Sequence, residues 1–333
     1  MRRLLLLVGL LAPLFVTGQD IHWSQFFNSP LTLNPAQTGS FDGSYRFGVI
    51  YRDQWSSVNS PYNTFSSSFD ITFPEGLWEG DAVSGGLVMF NDNAGDGNFT
   101  TTNVMLSGAY HKAIDRDSRV TLGLQVGYTQ KRYDFGEFFF ADMFNGQDFS
   151  LPTNENASAE APNNINLHAG LQYDRKITED IYASAGFAAF NLITPRESFF
   201  NNPNVRLGMR YVGHGEVNIR LNEKMTVNPR FLYMNQTRAQ EFSIGGDVGY
   251  KLVTPNFEAN LFGGAWFRAT GTDAIIPYIG GEYKNFRLGL SYDVNVSSLS
   301  EVSRGRGGFE ISLIYIGKIK PPPITIVVPC LRF

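Results

Sequence analysis

The side chains able to do acid–base, nucleophilic or metal chemistry in this sequence are few and scattered. Its four histidines are His22, His111, His168 and His214. None sits in a spacing such as HExxH or GxSxG, which would place a metal ligand set or a nucleophile on one local scaffold. A hydrolase carried by strands needs a nucleophile, a base and an orienting group converging at one place, and no spacing here supplies them. Cys330 is the only cysteine, so it closes no internal disulfide and builds no multi-cysteine metal site; it reads as a small apolar residue. Asn91-Asp92-Asn93-Ala94-Gly95-Asp96-Gly97-Asn98 hints at calcium but lacks the ligand spacing of an EF-hand, so a turn-rich loop is expected. No catalytic residue, metal or cofactor follows from these residues. The balance of 27 basic against 31 acidic residues, without a basic run, leaves no footprint for nucleic acid.

The polar residues must instead be placed by their scaffold, and composition points to β-structure with an apolar surface. Only 17% of the 333 residues are charged, against about 25% in an ordinary soluble domain. Met1-Arg2-Arg3, an apolar run from Leu4 to Val16 and Thr17-Gly18 read as a signal peptide over 1–18, giving a mature chain from Gln19. The run is interrupted by Pro13 and falls short of the roughly 20 residues that a spanning helix needs. Downstream, Val120, Leu122, Leu124, Val126 and Tyr128 alternate with Thr121, Gly123, Gln125, Gly127 and Thr129, and the same period of two recurs around 242–251 and 286–295. These segments match the roughly 9–11 residues that cross a bilayer as tilted strands.

Such segments are expected at 45–55, 62–73, 82–91, 99–111, 119–132, 164–175, 181–191, 205–220, 225–235, 241–252, 257–268, 275–284, 286–296 and 308–317. About fourteen strands, an even number, fit a transmembrane antiparallel β-barrel of the outer-membrane type, all-β, with both ends on the periplasmic side. Most even-numbered links are tight turns, whereas the longest links, such as 133–163, are odd-numbered, as periplasmic turns and external loops would be. A soluble sandwich or jelly roll would also alternate, but its strands would be shorter. Aromatics near segment ends suit interfacial girdles: Tyr51, Trp55, Phe65, Trp78, Phe99, Tyr110, Tyr128, Tyr133 and Trp266. The chain then divides into the signal peptide, an N-terminal periplasmic or plug segment at 19–44, a barrel at 45–317 within outer-membrane lipid, and a periplasmic tail at 318–333.

This register turns Arg46, Arg52, Gln54, Asp70, His111, Gln125, Lys131, His168, Gln172, Asp174, Arg230, Asp247, Lys251, Glu258, Arg268, Glu282, Arg287 and Asp293 inward. A lumen of both signs favours cross-barrel ion pairs over a selective eyelet. Two external loops stand out. One carries Phe138, Phe139, Phe140 and Phe144, aromatics that must either fold back as a lid or meet a partner. The other places Arg304 and Arg306 among glycines just before the last strand.

The stretch ahead of the barrel contains Trp23-Ser24-Gln25-Phe26-Phe27, then Pro30-Leu31-Thr32-Leu33-Asn34-Pro35-Ala36 and Gly39. It resembles the start of mature PorP/SprF-family proteins, outer-membrane components of the type IX secretion system in Bacteroidetes. Tyr51-Arg52-Asp53-Gln54-Trp55 and Pro61-Tyr62 resemble the family's first-strand region, and Pro329-Cys330-Leu331-Arg332-Phe333 its terminus, with Leu331 where proline is expected. The resemblance implies neither an enzyme nor an open porin. It implies partners instead: a secreted protein with a type IX C-terminal domain, such as a gliding adhesin, and periplasmic ring or lipoprotein components. A channel for small solutes is the competing class. Trp23, Phe26, Phe27, Leu31 and Leu33 offer burial, and Pro30 and Pro35 favour an extended path. Residues 19–44, Asn34 among them, are therefore expected to pack into or beneath the periplasmic mouth, or to lie along its rim. Pro321-Pro322-Pro323 breaks the tail, after which 324–328 could add a strand to a periplasmic partner.

Overall fold

A strand that alternates apolar with polar side chains has one greasy face, and closing a sheet of such strands leaves no unpaired edge for lipid to meet. The computed structural model describes residues 21–54, 62–73, 80–95, 99–132, 139–154, 163–197, 204–255, 257–269, 274–296 and 306–319. Within them fourteen antiparallel strands form a closed barrel. They are β1 (Tyr45–Gln54), β2 (Tyr62–Phe73), β3 (Ala82–Ala94), β4 (Phe99–Ala113), β5 (Ser118–Arg132), β6 (Asn163–Lys176) and β7 (Ile181–Phe190). They continue as β8 (Arg210–Arg220), β9 (Met225–Gln236), β10 (Ala239–Thr254), β11 (Phe257–Ala269), β12 (Ala274–Tyr283), β13 (Phe286–Asn295) and β14 (Arg306–Gly317). Each strand pairs with its sequence neighbours, and β1 closes on β14 from Tyr45↔Gly317 to Gln54↔Gly308.

Burial is inverted relative to a soluble protein. Leu106, Ile165 and Ile279 on the outer wall are 66, 62 and 62% exposed, while Arg52, Asp70, Gln125, Arg268 and Glu310 on the inner wall are buried. That distribution suits a lipid-facing exterior and rules out a sandwich with an apolar interior. Links after β2, β4, β6, β8, β10 and β12 lie at the end where β1 begins and β14 ends, and the longest links lie at the other. Not every link on that side is long. β9 and β10 join on the long-loop side through Thr237 and Arg238 alone, with Thr237 at φ +56° as a tight hairpin turn requires.

Several local expectations change. β3 runs on to Ala94, so Asn91, Asp92 and Asn93 are strand residues, and Thr64 Oγ1 donates to Asp92 (2.6 Å). β8 begins at Arg210 rather than 205. His168 lies within β6. Trp266 belongs to no girdle: it points into the lumen, where its ring is 1% exposed. Trp55, Trp78 and Tyr133, the signal peptide and the tail beyond 319 lie outside the described residues.

Candidate functional site: the occupied lumen

The stretch from 21 to 44 lies inside the barrel and runs nearly its whole length, further than the expected position at one mouth. At the long-loop end, Arg210 Nη1 of β8 donates to Ile21 O (3.0 Å). At the other end, Ser44 N donates to Gly317 O (2.8 Å) at the close of β14. The path between is not extended. Pro30 and Pro35 each open a short helical turn, at Pro30–Leu33 and Pro35–Gln37, where a missing N–H costs nothing and a fixed φ helps. Asn34 caps the second, its side-chain oxygen accepting from Ala36 N (2.9 Å). A further turn spans Phe26–Asn28.

The half nearer the long loops is held by a buried charge lattice. Glu310 of β14 accepts from the backbone N–H groups of Ser24 (2.7 Å) and Gln25 (2.9 Å). Arg52 of β1 donates to Glu310 (2.5 Å) and Asp293 (3.0 Å), and Arg268 of β11 to Asp293 (3.0 Å). Ser24 Oγ donates to Asp293 (2.6 Å) and accepts from Arg268 (2.6 Å). Gln25 donates to Ser291 Oγ (3.0 Å) and accepts from Ser312 Oγ (2.7 Å). Burial lowers the His22 imidazole to about 4, although Glu241, 3.8 Å away, pulls it up. Beside this lattice is an apolar core: Phe26 and Leu33 pack with Phe190, Val212, Leu232, Trp266 and Tyr278, and Phe27 stacks on Trp266 at 5.0 Å between ring centroids.

Further toward the short turns the segment leans on β3 to β7. Gln125 Nε2 donates to Leu31 O (3.1 Å), and Leu31 packs on Val88 and Met105. Asn34 Nδ2 donates to Leu171 O (3.1 Å) and meets His214 Nε2 (3.0 Å). Gly39 N donates to Asp70 (2.7 Å), which also takes Arg46 (2.7 Å). The close approach depends on wall glycines: a Cβ at Gly123 would overlap the backbone of Pro35, and one at Gly170 the side chain of Asn34. Gly39 itself has φ +75° and faces Ser84 and Thr72 with no room for a side chain.

All seven N-terminal candidates thus lie in the lumen. Trp23, Phe26, Leu33, Asn34, Pro30 and Pro35 are buried, and Phe27 is half-buried. The loop candidates lie elsewhere. Phe139 is 72% exposed and sits 5.4 Å from Phe149, which also meets Phe144 at 5.1 Å; Phe140 is half-buried. Phe138 and Arg304 lie outside the described residues. Arg306 is not in a loop: it is the first residue of β14, paired with Val294. Sequence reasoning missed Glu310, Glu241 and Arg210, and treated His214 only as a generic polar residue. Glu310 carried a readable signal, since it alternates with Phe309 and Ile311 and so had to face inward.

Between the segment and the wall that runs from β5 round through β14 to β1 there remains a cavity of about 1390 Å³ on the short-turn side. It ends against Phe26, Phe27, Pro30 and Leu33, and Arg46, Asp174, Glu216, Arg230, Glu282 and Arg287 line it. Its charges are largely paired: Arg230 with Glu216 (2.5 Å) and with Asp247, and Arg287 with Glu282 (2.5 Å). Among the described residues no group of three His, Cys, Asp or Glu gathers as a metal site.

Comparison with solved structures places this barrel among bacterial outer-membrane barrels. A Pseudomonas aeruginosa FadL homologue superposes with a TM-score of 0.54 at 10% identity, over 86% of this chain and 94% of that one. The Pseudomonas putida toluene transporter TodX gives 0.52 at 11%, over 88 and 94%. At such identity the likeness shows the fold alone. No curated protein sequence matches significantly. The family model of the type IX secretion system membrane protein PorP/SprF matches residues 16–315. The chain therefore belongs to the PorP/SprF family of type IX secretion system membrane proteins, and it is a fourteen-stranded β-barrel of the outer membrane.

Proposed function

We propose that this protein is a closed barrel that holds protein partners of the type IX system, rather than a conduit for small solutes or an enzyme. The observation that carries the reading is the filling of the lumen by residues 21–44, fixed through Glu310 at the external end and Asp70 at the periplasmic end. A diffusion channel needs a continuous aqueous path, and the Phe26–Trp266 core stands across it. Trp23, Phe26, Phe27, Pro30, Leu33, Asn34 and Pro35 then act as the plug that closes the barrel.

With the lumen closed, partners must be met at the two faces. Outside, the loop at 139–154 keeps Phe139, Phe144 and Phe149 at the surface, an apolar cluster that a partner could cover. We assign this loop, with Phe138, Phe140, Arg304 and Arg306, to a secreted protein bearing a type IX C-terminal domain, for its export or its attachment to the surface as with a gliding adhesin. Inside, the short turns and the tail from 318 face ring or lipoprotein components of the periplasmic machinery. The test is to purify the tagged barrel from native outer membrane in mild detergent and identify what accompanies it by mass spectrometry. Recovery of a large secreted protein or of ring components, lost in a variant with Phe138–Phe140 changed to alanine for the former, supports the reading. Recovery of the barrel alone, with steady conductance in a planar bilayer, would assign it to solute transport.

A further inference from the structure

The recess at the short-turn end has one way in. Phe26, Phe27, Pro30 and Leu33 close its inner end, so whatever fills it must enter past the short turns. At about 1390 Å³ it exceeds the roughly 300–1,000 Å³ of an ordinary small-molecule site. Its lining holds nine Arg and Lys against five Asp and Glu, and pairing does not cancel that excess where an occupant would touch it. Arg46 is answered by Asp70, Arg230 by Asp247 and Glu216, Arg287 by Glu282 and Lys251 by Glu258. Lys318 holds Asp42 (2.9 Å), and Arg220 lies 3.9 Å from Asp180. Arg119 of β5, Lys224 in the β8–β9 turn and Lys284 in the β12–β13 turn form no ion pair among the described residues, and all three are exposed. Of the two lining carboxylates without an ion pair, Asp174 is buried and accepts from Gln172 (2.9 Å), which leaves Glu223 at the mouth.

These three cations are spread around the mouth. Neighbouring strands lie about 4.8 Å apart, so positions three or four strands removed stand on the order of 15 Å apart at the backbone, beyond the span of one small anion. A chain carrying several carboxylates matches that spacing. Deeper in, Arg230 Cζ lies 4.4 Å from the centroid of the Phe27 ring and Arg287 Cζ 5.3 Å from that of Phe262, so the floor is apolar surface edged by guanidinium groups. We propose that the recess docks an acidic segment of a periplasmic protein, its carboxylates on Arg119, Lys224 and Lys284 and an apolar side chain on Phe27 and Phe262. This docking rests on the reading above, that partners meet the barrel at its two faces, and gives the chemistry of the one at the short-turn face. Because the pairing is with exposed cations, added salt weakens it.

The test takes the purified full-length barrel in detergent and a short peptide alternating glutamate with phenylalanine, tagged with a neutral fluorophore and followed by anisotropy at low salt. Counterparts with glutamine or lysine in place of glutamate control for partition into micelles. Arg119→Gln, Lys224→Gln and Lys284→Asn combined should weaken binding of the glutamate peptide about tenfold, the joint effect of three exposed charge pairs. Asparagine is chosen at 284 because the backbone there is left-handed, at φ +55°. In a Cys330→Ser background, a bulky maleimide on Ser184→Cys in the recess wall should abolish binding, whereas the same label on Arg238→Cys at the long-loop end should not. Equal binding of the glutamine or lysine peptide, or binding unchanged in the folded triple variant or with the recess blocked, would overturn the proposal. Displacement by inorganic phosphate, where sodium chloride of equal ionic strength has no effect, would assign the cations to small anions and overturn it too. A barrel that stays silent in a planar bilayer yet ignores the glutamate peptide loses only this proposal, whereas steady conductance removes the reading on which it rests.

Discussion

The two halves of the lumen are built on different principles. In the half nearer the long loops the segment is gripped from several strands at once: Arg52, Arg268, Asp293 and Glu310 close a buried lattice around Ser24 and Gln25, and Phe26 and Phe27 lie against Trp266 and Tyr278. In the periplasmic half the segment hugs the wall from β3 to β7 and leaves about 1390 Å³ open along the opposite wall. The contrast teaches that closure is concentrated toward the long-loop end, and that the space at the short-turn end is a recess ending against Phe26, Phe27, Pro30 and Leu33.

Changes in the external half should therefore cost far more than changes in the recess. The largest effect is expected from deleting 21–36, which removes both lattice and core partners: steady single-channel conductance should appear in a barrel that still resists protease. Glu310→Ala comes next. It takes away one of the two carboxylates that Arg52 pairs with and leaves the N–H groups of Ser24 and Gln25 unsatisfied in a buried site, a loss of about 3–5 kcal/mol that should appear as easier unfolding in a heat-modifiability gel. Gly123→Val drives a side chain into the backbone of Pro35, and about 1–3 kcal/mol of overpacking should loosen the segment, read as faster proteolysis within 21–44. Gly263→Ala, where an added Cβ meets nothing within 4 Å, is the matched control and should leave both readouts unchanged. Arg287→Ala in the recess breaks a pair with side chains 34 and 28% exposed, so less than about 1 kcal/mol is expected. An Arg287 effect as large as that of Glu310 would erase the distinction between the halves.

Much of the fold was legible because membrane strands announce themselves twice, by a period of two and by the parity of their links. Leu122, Leu124 and Val126 face outward as their alternation demands. What was not legible was which inward residues meet. Arg52, Arg268, Asp293 and Glu310 come from four different strands, and no local period encodes that convergence. The Pro-Leu-Thr-Leu-Asn-Pro-Ala stretch showed its burial potential but not its helical turns, because short turns stabilised by tertiary contacts leave no 3.6-residue pattern. Trp266 was misplaced for a related reason: an aromatic near a strand end suits a girdle or a lumen core equally well, and only the register decides between them.

The central claim is that this barrel is closed by its own N-terminal segment. Its most direct test is the conductance of the purified, full-length protein in a planar bilayer, at the same protein density at which the 21–36 deletion is measured. The expected result is a silent wild-type barrel beside a conducting deletion variant. Steady wild-type conductance equal to that of the deletion variant would contradict the claim.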